Sequence, residues 1–142
     1  MAFRRDAYQR MGGFQEKYSR WIAEDYEFTS RFTLLPDVVV AANLAPSWGY
    51  RRHDMNYSKT SWKNIDGEAN ILQEHLDLNL VPDQFVAKVK QRITLTRENA
   101  FDDACWKKDL TGIKQTWLRL PQASKTLKRT AKWLLKAFYA PR

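Results

Sequence analysis

The sequence predicts an α/β fold over residues 1–57 followed by an all-α C-terminal extension over residues 58–142, so that the chain is mostly helical overall. Three observations predict it. Val38-Val39-Val40-Ala41-Ala42 is a β-branched run of the kind that forms a buried strand, and Ser47 to His53 reads as a second extended segment after Pro46. From Ser58 onward, apolar residues instead recur at every third or fourth position, the helical rhythm. The chain of 142 residues is long enough for one ordinary domain with its own core and too short for two full enzyme domains.

Taken in order, Ala2 to Arg4 reads as an extended start and Asp6 to Met11 as a helical turn. Gly12-Gly13 closes that turn, because glycine takes the left-handed conformation that ends a helix. Phe14 to Arg20 reads as a loop with aromatic anchors. A second helix is expected from Glu24 to Leu34, with Phe28, Phe32 and Leu35 along its apolar side. Pro36 ends it by disfavouring helix at the residue before. Trp62, Ile65, Ala69, Leu72 and Leu76 then mark one face of a helix interrupted only by Gly67. Phe85, Val89, Ile93, Thr96, Ala100 and Ala104 mark a long helix after Pro82. A further helix is expected from Asp109 to Leu120, stopped by Pro121, and a last one from Gln122 to Tyr139. There is no internal repeat and no linker rich in glycine, serine or proline.

Composition narrows the class. With 44% hydrophobic and 13% aromatic residues, five glycines and five prolines, the chain is neither disordered nor low-complexity. The single cysteine, Cys105, can form no internal disulfide and no cysteine-based zinc site. No apolar run is long enough to span a membrane, and the first residues do not begin a signal peptide, so a cytoplasmic location is expected. The net charge of +8 is segregated. Residues 1–109 hold sixteen basic and sixteen acidic side chains, whereas residues 110–142 hold eight basic ones and no acid. Such a split suggests a neutral globular part with a basic helical appendage.

The chemistry-bearing residues crowd into Phe3-Arg4-Arg5-Asp6-Ala7-Tyr8, Gly12-Gly13-Phe14 and Trp21-Ile22-Ala23-Glu24-Asp25-Tyr26. Two carboxylates at a helix start are held as anions by the helix dipole and its free N–H groups. An anion held that way can accept a proton from a substrate hydroxyl, and it can equally be only a helix cap. Trp21 offers a flat face for a sugar or serves as core.

The order of these motifs resembles a family. Phe3-Arg4-Arg5, Gly12-Gly13-Phe14, Trp21 with Glu24-Asp25, Arg31-Phe32, and then Tyr50-Arg51-Arg52-His53 with Asn56 and Ser58 look like the C-terminal half of the catalytic domain of inverting GT-A-fold glycosyltransferases. These form the large family 2 group, and the segment is also similar to the corresponding part of β-1,4-galactosyltransferases. The resemblance implies the acceptor-side half of a GT-A domain that transfers a sugar from a nucleotide-sugar donor to a glycan or lipid-linked acceptor. It implies Asp25 as general base, on the face of the sugar opposite the leaving nucleotide. Glu24 would bind the acceptor or hold Asp25, and Trp21 would form part of the acceptor floor. Gly12 and Gly13 would let backbone approach the donor sugar. His53 would complete the coordination of a divalent metal, Mn2+ or Mg2+, and Arg52 would neutralise phosphate charge.

The chain departs from the family's pattern in having no Asp-x-Asp, the motif that first holds metal and nucleotide. Asp102-Asp103 are adjacent and fall in a helical stretch, and Asp66-Gly67-Glu68 falls within another. The expectation is therefore a transferase fragment whose donor-binding half lies elsewhere and which does not turn over alone. His75 is expected to be structural or solvated on the polar side of its helix. The last helix interleaves Leu127, Leu134, Leu135 and Phe138 with Lys125, Lys128, Arg129, Lys132 and Lys136. It either packs on its neighbours or lies on an anionic membrane surface through residues 122–142. Nucleic acid is not expected as a partner, since no recognition motif accompanies the charge. The competing functional reading is a non-catalytic helical module that binds an anionic membrane or a partner protein.

Overall fold

A computed structural model describes residues 4–21, 23–33, 35, 39 and 62–138. Its α-helices are α1 (Arg5–Met11), α2 (Glu24–Thr33), α3 (Trp62–Asp77), α4 (Asp83–Trp106), α5 (Leu110–Arg119) and α6 (Leu127–Phe138). A 3-10 helix, Glu16–Trp21, joins α1 to α2, and a short 3-10 turn, Gln122–Ser124, joins α5 to α6. No helix among the described residues is long and apolar enough to cross a membrane.

Every regular element among the described residues is helical, which corrects the expected fold class. The described residues form helices packed on helices and not an α/β fragment of a GT-A domain. The physical reason is visible in what α2 and the preceding 3-10 helix bury. Tyr18 and Ala23 pack against Ile71 of α3, with half-buried Tyr26 beside them, so the N-terminal elements rest on a helix. Val39, within the β-branched run, is in no strand and is 91% exposed. The rest of that run, the Ser47 to His53 segment and Ala2-Phe3 lie outside the described residues. A second correction is local: Phe14 to Arg20 is not a plain loop, because Glu16–Trp21 is a 3-10 helix tightened around buried Tyr18.

The main core lies between α3, α4 and α5. Trp62, Ala100, Phe101, Ala104, Cys105, Ile113 and Leu120 form it, and Ile65, Trp117 and Trp133 pack on its edge. Small residues at 100 and 104 let α3 approach α4 closely. Asp109 caps α5 by accepting from the Gly112 N–H at 2.9 Å, and its other oxygen accepts from the Trp62 indole at 2.6 Å. These bonds and burial act on its pKa in opposite directions, and the net effect is downward: burial pushes the carboxyl up, while the Gly112 amide and the indole pull it down further. The final helix starts later than the expected Gln122, after the 3-10 turn and Lys125.

Candidate functional site

The site begins where α1 ends. Gly12 and Gly13 take φ values of 71° and 74°, the left-handed region that glycine enters without a Cβ penalty. The Gly12 N–H donates to Gln9 O at 3.1 Å and the Gly13 N–H to Tyr8 O at 3.3 Å, closing the helix. Room is as restrictive as conformation at the second glycine: a Cβ on Gly13 would stand 2.7 Å from the Tyr8 hydroxyl oxygen. The turn rests on rings. Phe14 lies 4.6 Å from Phe28 and 6.2 Å from Tyr8 between centroids, and Phe28 is fully buried.

A single guanidinium ties this turn to α2. Arg31 donates from Nε to Glu27 Oε1 at 2.7 Å and from Nη2 to Glu27 Oε2 at 3.0 Å, a bidentate pair within one helix face. Its remaining donors reach backwards in the chain, Nη2 to Gly13 O at 2.8 Å and Nη1 to Met11 O. Glu27 is only 1% exposed, so its charge is carried in the interior by Arg31. Buried His75 of α3 approaches the same carboxylate, Nε2 to Oε1 at 4.0 Å. Burial lowers the His75 pKa, against the opposing pull of Glu27 and Glu74. The expectation for His75 resolves to the structural alternative, on a face of α3 that is covered and not polar.

Glu24 and Asp25 occupy the first turn of α2, as their spacing predicts. Asp25 is exposed, and its Oδ1 accepts from the Tyr26 N–H at 2.7 Å. Asp25 therefore satisfies one free first-turn N–H and stays accessible. Glu24 is half-buried, and its Oε2 is shielded with no hydrogen-bond partner among the described residues. Across from them stand Glu68 of α3 and Arg92 of α4. Burial raises the Glu68 pKa, Arg92 opposes the rise, and the Asp25 charge adds to it. Tyr26, lodged among the same groups, has its phenol raised chiefly by burial.

Of the other expected site residues, Trp21 closes the 3-10 helix three positions before Glu24. Arg52 and His53 lie outside the described residues. Among the described residues no three His, Cys, Asp or Glu side chains group as a metal site requires, so the described part does not by itself assemble a centre for Mn2+ or Mg2+. Asp102 and Asp103 serve other roles, pairing with Lys132 at 2.5 Å and Lys107 at 3.4 Å. Arg31 and Glu27 are the organising residues that motif reading left without a role. Their i, i+4 spacing was a signal for the pair, but not for the two backbone acceptors. No family model, curated protein or solved structure gives a match to this chain.

Proposed function

We propose that the Gly12-Gly13 turn and the first turn of α2 form the acceptor side of an inverting nucleotide-sugar glycosyltransferase. The observation that carries the reading is the Arg31 tether, which makes the glycine turn and the carboxylate-bearing helix one rigid unit. Arg31 follows Asp25 by six residues, about 9 Å along the helix axis. The base-bearing helix and the backbone turn are thus joined by one side chain.

In this reading Asp25 takes the proton of an acceptor hydroxyl while that oxygen attacks the anomeric carbon. The bond to the nucleotide diphosphate breaks on the opposite face, which inverts the centre. An exposed carboxylate in the first turn of α2 suits the role, because an acceptor hydroxyl can reach it. Glu24, half-buried beside Asp25, would bind the acceptor or hold Asp25 in place. Gly12 and Gly13 would let backbone approach the donor sugar, and the rest of donor recognition, Arg52 included, is assigned to residues outside the described part.

The test is nucleotide release from a panel of nucleotide sugars, measured on the product of the whole reading frame that contains these residues. Asp25→Asn is expected to lower kcat by about 10²- to 10⁴-fold, the usual contribution of a general base. Unchanged turnover in that variant overturns the assignment. Mn2+ or Mg2+ stays an expectation carried by His53. In the same assay, activity lost in EDTA and restored by Mn2+ supports it, and full activity in EDTA removes it.

A further inference from the structure

The last helix is mounted with its apolar side outward. By spacing, Leu127, Ala131, Leu134 and Leu135 share one stripe of α6, the stripe a packed surface helix normally turns inward. Here Leu127 is 90% exposed, Leu135 58% and Leu134 40%, and Ala131 is exposed as well. The opposite side holds α6 to the molecule. Arg129 donates to Glu98 Oε1 at 2.9 Å and to Ser124 O at 3.2 Å, and Lys132 donates to Asp102 Oδ1 at 2.5 Å. Trp133 stacks on Trp117 of α5, ring centroids 5.9 Å apart and planes within 12°. Polar anchoring and apolar exposure are therefore on opposite faces of the same helix.

Leu127 is almost wholly in water and Leu134 and Leu135 partly so, so the stripe gains from an apolar phase. Charge decides which one. Residues 110–142 contain no acid and eight bases; Arg119, Arg129 and Lys132 pair with Asp66, Glu98 and Asp102, while exposed Lys128 borders the stripe beside Leu135 by helical position. A second copy of α6 laid on the first would bring no acidic group to Lys128, since residues 110–142 contain none. An anionic bilayer complements both features at once: its acyl boundary takes the leucines and its headgroups take Lys128.

We propose that α6 is an interfacial membrane helix, seating Leu127, Ala131, Leu134 and Leu135 in the headgroup–acyl boundary of an anionic bilayer while Arg129, Lys132 and Trp133 keep it fastened to α4 and α5. This does not rest on the transferase reading. Co-sedimentation tests it, with vesicles of phosphatidylglycerol mixed with phosphatidylcholine against phosphatidylcholine alone. The full chain is expected to bind the anionic vesicles, and Leu134→Ser/Leu135→Ser to lower that partition by at least tenfold, about 1.4 kcal/mol. Both leucines are exposed, and unchanged circular dichroism establishes that the variant is folded.

Three results would overturn the proposal. One is equal binding by the double variant, and another is equal binding to neutral vesicles. The third is a concentration-dependent dimer in sedimentation velocity, dissolved by the same substitutions without lipid, which assigns the stripe to a second copy.

Discussion

Arg31 makes four hydrogen bonds, two to the Glu27 carboxylate and one each to the carbonyls of Met11 and Gly13. Its planar fork fits this set of acceptors in a way a lysine ammonium cannot. Arg31→Met would leave the Glu27 carboxylate buried without its cation, a change that costs about 3–5 kcal/mol in comparable sites. Arg31→Lys is expected to fall between, keeping the charge and losing the two-pronged geometry. Urea denaturation followed by circular dichroism measures both. A loss below about 1 kcal/mol for Arg31→Met would place the pair among solvated surface pairs and remove its organising role.

At the scale of elements, α5 depends on a residue that has no side chain. A Cβ on Gly112 would lie 2.4 Å from the Trp62 indole nitrogen, and that indole is fixed by its bond to Asp109. Alanine ordinarily favours a helix over glycine by about 1 kcal/mol. Gly112→Ala is nevertheless expected to destabilise by about 1–3 kcal/mol, because overpacking outweighs propensity where the neighbour cannot move. A urea midpoint at or above that of the parent chain would show that the Trp62 ring yields.

Helices α3 to α6 were legible because each repeats apolar residues at helical spacing over two turns or more. The 3-10 helix Glu16–Trp21 was not, being too short to show a period. His75 was misplaced for a different reason: α3 is covered on more than one side, and a single-stripe pattern cannot represent that. The expectation of an α/β fold came from motif order and a valine run, neither of which reports what a helix packs against. In the candidate site, the Glu24-Asp25 helix start and the Gly12-Gly13 turn were readable from residue type. The tether between them was hidden, since a carbonyl acceptor has no signature in the sequence. For α6 the stripe was readable and its outward direction was not.

The whole molecule joins its N-terminal elements to the α3–α4–α5 core through charged groups as well as apolar ones. Lys17 donates to Glu74 at 2.6 Å beside buried Tyr18, and Glu27 meets His75 from the other side. This makes stability pH-dependent. Burial holds His75 below its ordinary value of 6.5, so the native state binds its proton less readily than the unfolded chain does. The stabilisation is present above pH 6.5 and is lost as pH falls through that value towards the native one. Thermal midpoints are expected to drop over the interval just below pH 6.5 in the parent chain and to flatten there in His75→Gln. An equal slope in both would assign the effect to other groups.

Cys105 sits in the main core, wholly shielded between α4 and α5, and it is the chain's one thiol. A disulfide reagent can reach it only when those helices part, so each labelling event is a count of one opening. The molecule thus carries its own stopwatch, readable by mass without any inserted probe.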